Sequence, residues 1–227
     1  MAELWVCQLG IVPYAESLEL QERLRGARQA DEIPDVLLLL EHPPVYTRGR
    51  RTDDAELPLG EDWYAQRGIE IVDVDRGGRL TYHGPGQLVG YPIAKLGPIV
   101  DFLRTMESAI VAALAGEGLT ARAADGRPTG VWVGERKIAS LGIHVARRVS
   151  THGFAVNVEN DLTPFDWIVP CGLDGVKMTS IALETGAGDI DCFRKRIAFE
   201  FAEALGARQR IVSRARLEHA IGALVDA

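Results

Sequence analysis

The sequence predicts an α/β (or α+β) fold, a single domain in which mixed sheets are flanked by helices. The 227 residues correspond to about one and a half average domains, enough to bury a sizeable core. Hydrophobic residues make up 47% and charged residues 25%, the mixture typical of globular proteins. Strand-like apolar runs lie between segments of helical periodicity, and no repeat or flexible linker divides them. We therefore expect one domain over residues 1–227.

The first half of the chain is predicted to contain a helix and three strands. Residues 17–30 have apolar side chains at helical spacing, and Ser17 is a suitable N-cap. The continuous apolar run at 35–41 predicts a buried strand, which ends before two prolines. Residues 69–74, and residues 87–93 after a Gly-Pro-Gly turn, predict two further strands.

The second half is predicted to contain a long helix, a hairpin and two closing helices. Apolar side chains at helical spacing predict a helix over 99–117, with Gly118 in the position of a C-terminal glycine. Residues 131–145 are expected to form a hairpin that turns at Gly134 and Glu135. Residues 154–158 add a strand. The last two helices are expected near 192–205 and 213–225.

Charge, cysteine content and apolar runs exclude several classes of protein. There are 32 acidic against 25 basic residues, and this net charge of −7 argues against broad nucleic-acid binding. The three cysteines are too few and too scattered for a disulfide framework or a zinc module. No signal peptide or lipidation box is recognisable, and the strongest apolar run, 36–40, is far shorter than the ~20 residues of a membrane span. We expect a cytoplasmic protein that binds neither membrane nor nucleic acid.

The glycine-rich stretch at 76–87 is the first candidate for a binding site. It contains four glycines in twelve residues, together with His83 and Tyr82. Glycines allow the backbone to approach a ligand closely, and N–H groups freed from a ladder can face a carbonyl or a phosphate. A surface hairpin with a tight turn is the alternative interpretation. Among the five histidines His83 is the candidate, because the glycines around it suggest a cleft.

Cys171 and Lys137 are the candidate reactive side chains. Cys171 lies in a Pro-Cys-Gly turn that leaves its sulfur uncrowded, although a half-buried structural thiol fits the same pattern. Only four of the 25 basic residues are lysines. A desolvated lysine can release its proton near neutral pH, whereas an arginine cannot, although Lys137 could also be a solvated turn residue. No histidine pair has the spacing of metal ligands, so we predict no metal.

Five motifs, in order, resemble the signature of the lipoyl(octanoyl) transferases, octanoyl-[acyl-carrier-protein]:protein N-octanoyltransferases. The resemblance extends from about residue 42 to residue 179. The motifs are His42-Pro-Pro-Val-Tyr-Thr47; Arg76-Gly77-Gly78 with Thr81-Tyr82-His83 and Gly86-Gln87; Lys137-Ile-Ala-Ser-Leu-Gly142; His152-Gly-Phe-Ala-Val-Asn-Val158; and Pro170-Cys171-Gly172.

This resemblance implies a fold like the catalytic domain of biotin and lipoate ligases. It implies transfer of an octanoyl or lipoyl group from acyl carrier protein to a lysine of a lipoyl domain, in a 2-oxo acid dehydrogenase E2 subunit or the glycine cleavage H protein. By this likeness Cys171 carries the acyl group as a thioester, Lys137 is its partner, and no cofactor is needed. The implied substrate-binding residues are Arg76, Gly77, Gly78, Arg79, Leu80, Thr81, Tyr82, His83, Ser140, Leu141, Gly142, Gly153, Phe154 and Ala155.

Elementary chemistry agrees with this assignment. A free thiol has a pKa of ~8.5, and an adjacent ammonium favours its thiolate. The donor is already a thioester, so transfer to an amine needs no ATP. The absence of a phosphate-loop motif is consistent with this. An acidic carrier protein would require a local basic patch on this acidic chain, for which Arg48, Arg50 and Arg51, or Arg147 and Arg148, are candidates.

Three alternatives stay open from the sequence. An ATP-dependent lipoate–protein ligase would use the lysine without a nucleophilic cysteine. A non-catalytic protein that binds acyl groups or lipoyl domains would form no adduct. A cysteine hydrolase would use His83 as the base for Cys171.

Overall fold

The computed structural model describes residues 2–124, 129–169 and 176–222, which form eleven strands and seven α-helices. The strands are β1 (Ala2–Ile11), β2 (Asp35–Glu41), β3 (Val45–Arg48), β4 (Glu70–Asp73), β5 (Thr81–His83), β6 (Gln87–Ile93), β7 (Ala121–Ala123), β8 (Gly130–Val133), β9 (Arg136–Ala146), β10 (Val149–Asn157) and β11 (Ala207–Ile211). The helices are α1 (Tyr14–Gln29), α2 (Glu61–Ala65), α3 (Ile99–Ala115), α4 (Thr163–Asp166), α5 (Ile181–Thr185), α6 (Ile190–Ala204) and α7 (Arg214–Gly222).

A mixed sheet of eight strands forms the frame, in the order β11-β1-β2-β6-β10-β9-β8-β7. β1 is parallel to both β11 and β2, and the remaining neighbours are antiparallel. In the described part of the chain β11 and β7 are therefore the two edges. The predicted fold class, mixed sheets flanked by helices, is confirmed.

Strand β2 is apolar on both faces because helices cover it on both sides. Leu37 and Leu39 pack with α3 and α6 on one face, whereas Val36, Leu38 and Leu40 pack with α1 and α7 on the other. Successive side chains of a strand point to opposite faces, so a strand covered on both sides has an unbroken apolar sequence. The run at 35–41 has this property.

A three-stranded sheet, β4-β3-β5, lies beside the large sheet. Its core consists mainly of aromatic rings. Tyr82 packs against Tyr46 and Phe165 at ring-centroid distances of 5.5 Å in both cases. The segment that carries the glycine-rich stretch is thus attached to the molecule through an aromatic cluster.

Several predicted elements are confirmed. β2 and β6 have the expected bounds, and the hairpin of β8 and β9 turns at Gly134 and Glu135. Gly118 has φ +80° and lies just past α3, where its N–H donates to the carbonyl of Ala115 while Leu119 N–H donates to Leu114. This bond pair is a Schellman motif, in which glycine is preferred because the left-handed conformation strains other residues.

The predicted start of the first helix is wrong. α1 begins at Tyr14 with Pro13 as N-cap, so Ser17 lies inside the first turn. The Ser17 hydroxyl donates to the Tyr14 carbonyl at 2.8 Å instead of accepting from a free N–H group. Proline supplies the backbone angle that starts a helix without a side-chain cap, and this extends the helix by three residues. Among the described residues, no helix has both the length and the apolar character needed to cross a bilayer.

We expect Phe201→Ala to lower the free energy of unfolding by about 3–5 kcal/mol, because it removes a fully buried ring and leaves a cavity. Phe199→Ala, on the same helix, is the matched control, since its ring is 55% exposed; we expect a change within about 0.5 kcal/mol. Urea unfolding followed by circular dichroism measures both. Equal losses in the two variants would contradict the packing described for α6.

Candidate active site

A cavity of about 550 Å³ lies between the glycine-rich stretch, strands β9 and β10 and the start of α3. Its volume is within the range of small-molecule sites. The cavity brings together the following sequence-predicted residues: Arg76, Gly77, Gly78, Arg79, Leu80, Thr81, His83, Lys137, Ser140, Leu141, Gly142, Gly153, Phe154 and Ala155. Tyr82 is not among the lining residues, because its ring belongs to the aromatic cluster of the small sheet.

The glycine-rich stretch is held against β9 at very close range. Gly77 N–H donates to the Ile143 carbonyl at 3.0 Å. A Cβ atom on Gly142 would lie 2.7 Å from the Gly77 carbonyl oxygen, closer than side chains tolerate. Gly142 is therefore needed for the two backbones to form one wall of the cavity.

Two backbone N–H groups of this stretch are hydrogen-bonded within the protein. Gly77 N–H is bound to β9, and Leu80 N–H donates to the Glu56 carboxylate at 3.2 Å. Both donors are thus already engaged within the protein. Glu56 was missed by sequence reasoning, although Asp53 and Glu56 have the spacing of a capping box, which the structure contains.

Lys137 is almost fully buried and lines the cavity from β9. Its side chain crosses the hairpin over Gly130, where a Cβ atom would lie 2.5 Å from the lysine Cε atom. Its Nζ atom lies 5.9 Å from the centroid of the Trp132 ring, close enough for a cation–π contact. The interpretation of Lys137 as a solvated turn residue is therefore wrong.

The backbone of Lys137 is paired with the chain that follows Cys171. Its N–H donates to the Lys177 carbonyl, and its carbonyl accepts from Thr179 N–H, both at 2.9 Å. This makes a parallel bridge between Lys137 and Met178. Cys171, with Pro170 and Gly172, lies outside the described residues. The other two cysteines differ in exposure: Cys7 is buried and Cys192 is exposed.

Three buried histidines lie at the cavity, two of them in its lining and the third, His42, behind His83. The His42 ring lies 5.7 Å from the His83 ring, and His152 lines the cavity with His83. Burial lowers the pKa of His42 and of His152 to about 4, in the latter case despite a hydrogen bond with Asp75 that raises it. Burial lowers the pKa of His83 well below its ordinary value, and the nearby His42 adds to this effect. All three rings are therefore neutral at pH 7, and the 2.8 Å contact of His152 with Asp75 is a hydrogen bond from an uncharged ring.

Two tyrosines complete this region and were not predicted. Tyr91 OH lies 2.7 Å from His42 Nε2, whose ring is oriented by a 2.7 Å bond from Nδ1 to a backbone carbonyl. Tyr14 OH lies 3.3 Å from His152 Nδ1. The two phenols also hydrogen-bond with each other, so Tyr14, Tyr91 and the two histidines form one polar cluster beside the cavity.

The arginines of the candidate basic patch differ in their exposure and in their bonding partners. Arg48 is bound to Asp73 and Glu61, and Arg50 donates to His144. Arg51 is exposed and lines the cavity. Arg147 and Arg148 are exposed at the turn between β9 and β10, where both have positive φ. Within the described part of the chain, no group of three His, Cys, Asp or Glu side chains is arranged to hold a metal ion.

The family model of the lipoyl protein ligase A/B catalytic domain matches residues 13–202. The chain belongs to this family. Relatives that it resembles include the octanoyltransferase of Caldicellulosiruptor saccharolyticus, 41% identical over 99% of this chain and 98% of the relative. The octanoyltransferase of Acidothermus cellulolyticus is 48% identical over 78% of this chain and 80% of the relative.

Solved structures agree with the family at the level of the fold. The bipartite lipoate protein ligase of Thermoplasma acidophilum superposes with a TM-score of 0.77 at 20% identity, covering 100% of this chain and 93% of that one. The biotin protein ligase of Aquifex aeolicus gives a TM-score of 0.52 at 12% identity, covering 91% and 70%. The predicted likeness to biotin and lipoate ligase catalytic domains is confirmed.

The buried histidines predict a loss of stability in mild acid. The unfolded chain takes up a proton at each histidine near the ordinary pKa of 6.5, whereas the folded chain excludes it from His42 and His152 until about pH 4. Between these values the unfolded state binds more protons, so the free energy of unfolding falls as the pH falls, by up to about 1.4 kcal/mol per pH unit for each histidine.

This loss is measured by urea unfolding at intervals between pH 7 and pH 4. His42→Gln should reduce the slope by up to about 1.4 kcal/mol per pH unit, because it removes one proton-binding site. His219→Gln is the control and should leave the slope unchanged, because this side chain is exposed on α7. A slope in His42→Gln equal to that of the unaltered protein would disprove the neutral buried state of this ring.

Proposed function

We propose that this chain transfers an octanoyl group from acyl carrier protein to a lysine of a lipoyl domain, by way of a thioester on Cys171. Octanoyl transfer is the activity for which relatives 41% and 48% identical to this chain are named, and by that relationship the chain is an acyltransferase of protein lipoylation. The observation that carries the thioester route is the buried Lys137 on the cavity wall, with its backbone joined to the chain that continues from Cys171.

In the first half-reaction the Cys171 thiolate attacks the carbonyl carbon of the octanoyl thioester. A new C–S bond forms, the C–S bond to the carrier breaks, and the carrier leaves as a thiol after it takes up the proton of the Lys137 ammonium, which is then neutral. An ammonium group at Lys137 lowers the free energy of the thiolate by charge attraction. A covalent intermediate stores the acyl group while one large protein partner replaces the other.

In the second half-reaction the acceptor amine attacks the thioester on Cys171. A C–N bond forms, the C–S bond breaks, and the cysteine sulfur departs as the thiolate. The attacking amine loses a proton, which neutral Lys137 accepts. General base assistance of this kind typically contributes about 10²- to 10⁴-fold.

The apolar side chains of the cavity suit the hydrocarbon chain of the acyl group. Leu80, Leu141 and Phe154 line the cavity, Leu141 and Phe154 side by side on β9 and β10, and Ile99 and Leu103 approach from α3. We place the octanoyl chain among them, with residues 76–83, 140–142 and 153–155 as the substrate-binding segments. Residues 1–227 would then act as one catalytic domain.

The partner proteins in this proposal are octanoyl acyl carrier protein and the lipoyl domains of 2-oxo acid dehydrogenases or the glycine cleavage H protein. Arg51 at the cavity is the arginine best placed to meet an acidic carrier, because Arg48 is already paired with two carboxylates. We propose the cytoplasm as the compartment of the reaction. The ligase alternative is supported only by structures at or below 20% identity, which show the fold alone.

We expect intact-mass spectrometry to detect one octanoyl group, about 126 Da, on the protein after it is mixed with octanoyl acyl carrier protein. Cys171→Ser should abolish the adduct, because the alcohol is a far weaker nucleophile than the thiolate. Cys192→Ser is the matched control: this cysteine is exposed, and we expect the adduct to be retained. An unmodified mass under conditions of active transfer would refute the thioester route.

Lys137→Arg should slow transfer to the lipoyl domain by about 10²- to 10⁴-fold, because arginine keeps the positive charge but cannot accept a proton near neutral pH. Rapid-quench measurement on pre-acylated enzyme gives this rate, and urea unfolding verifies that the variant is folded. The control is Lys177→Arg, whose side chain is exposed nearby. Near-normal transfer by folded Lys137→Arg would remove Lys137 from this role.

A further inference from the structure

A chain of buried amides links His83 to the segment that pairs with Lys137. Asn157 Nδ2 donates to the Thr179 carbonyl at 3.0 Å. Gln87 Nε2 donates to Asn157 Oδ1 at 2.9 Å and to the Tyr82 carbonyl at 3.1 Å, and Gln87 Oε1 lies 2.7 Å from His83 Nδ1. Gln87, Asn157 and Thr179 are each at most 2% exposed.

The directions of these bonds are fixed by two backbone carbonyls. The carbonyls of Thr179 and Tyr82 can only accept, so the amide nitrogens of Asn157 and Gln87 must face them. Gln87 Oε1 is then left for His83, and His83 Nδ1 must carry the hydrogen. In the neutral ring Nε2 is consequently a bare acceptor.

The remaining edge of His83 is turned to the cavity. The ring is stacked on Tyr14 with centroids 6.1 Å apart, and it lines the cavity. No described residue makes a hydrogen bond with its Nε2 atom. The groups packed around the ring are the neutral His42 and His152, and Arg76, whose Nη2 donates to Thr47.

The reaction offers few donors for this acceptor. An octanoyl thioester has no N–H or O–H group, and the thiol hydrogen is lost once the cysteine is acylated. The acceptor amine brings N–H bonds into the cavity, and it does so only in the second half-reaction. We infer that Gln87, oriented by Asn157, is a positioning residue that holds His83 so that Nε2 accepts a hydrogen bond from the incoming lysine amine.

This inference rests on the proposed function and is tested on the two half-reactions separately. Single-turnover acylation by octanoyl acyl carrier protein is compared with single-turnover transfer from pre-acylated enzyme to a lipoyl domain. His83→Phe should slow transfer at least about tenfold more than acylation, the amount that one hydrogen bond of about 1.4 kcal/mol supplies. Equal slowing of both half-reactions would overturn the inference. A native protein that forms no adduct at all would instead refute the proposed function.

Gln87→Glu provides a readout that a merely structural role would not change. A carboxylate beside His83 Nδ1 favours the protonated ring, which has no free acceptor. As the pH is lowered, the transfer rate of Gln87→Glu should therefore begin to fall at a pH about one unit or more higher than in the unaltered protein. This shift in the acid limb should be absent when Gln87→Glu is combined with His83→Phe. Gln66→Glu on the surface adds the same charge and should not shift the limb. An unshifted limb in Gln87→Glu would overturn the inference.

If Gln87→Glu does not fold, His83→Gln decides the question. A glutamine amide oxygen reaches about as far as the imidazole Nε2 atom, so His83→Gln should recover part of the transfer rate that His83→Phe loses, with acylation compared in parallel. No recovery in a folded His83→Gln variant would overturn the inference.

Discussion

The site depends on the two backbone hydrogen bonds that join Lys137 to the chain at 177–179. They tie β9 to the segment that continues from Cys171. The long side chain of a lysine would otherwise adopt many rotamers. Here its strand, the aromatic ring of Trp132 and the neighbouring hairpin restrict it, so the proposed base is oriented before any substrate enters. The same strand continues through 140–142 along the cavity wall.

The site also requires two segments of the chain to approach each other closely, and glycine allows this at two positions. The glycine-rich stretch approaches β9 at Gly142, and the side chain of Lys137 crosses β8 at Gly130. At both positions the glycine has no side chain, so the neighbouring group packs directly against its backbone. Glycine at these two positions therefore lets the backbone itself form part of the cavity wall, beside the apolar lining.

Features that depend on neighbouring residues were predicted from the sequence, whereas contacts between residues far apart in the chain were not. The strand at 35–41 was predicted correctly because burial on both faces leaves an unbroken apolar run within seven residues. Lys137 and most of the cavity wall were identified because motif order resembles a known family. Tyr14 escaped notice, since its partner His152 is 138 residues away and no local pattern signals the pair. The helix start was missed because Pro13, by fixing its own backbone, made Ser17 unnecessary as a cap.

The two edges of the large sheet have a consequence for an enzyme that meets other proteins in turn. An exposed edge strand offers unpaired N–H and C=O groups to which any extended chain could add. Both edge strands in the described part of the chain carry arginine: Arg208 and Arg210 on β11 lie near Glu3, and Arg122 on β7 pairs with Glu135. Charged side chains at these positions oppose strand addition. The charged edges thus oppose the pairing of the large sheet with another sheet, a route by which edge strands aggregate.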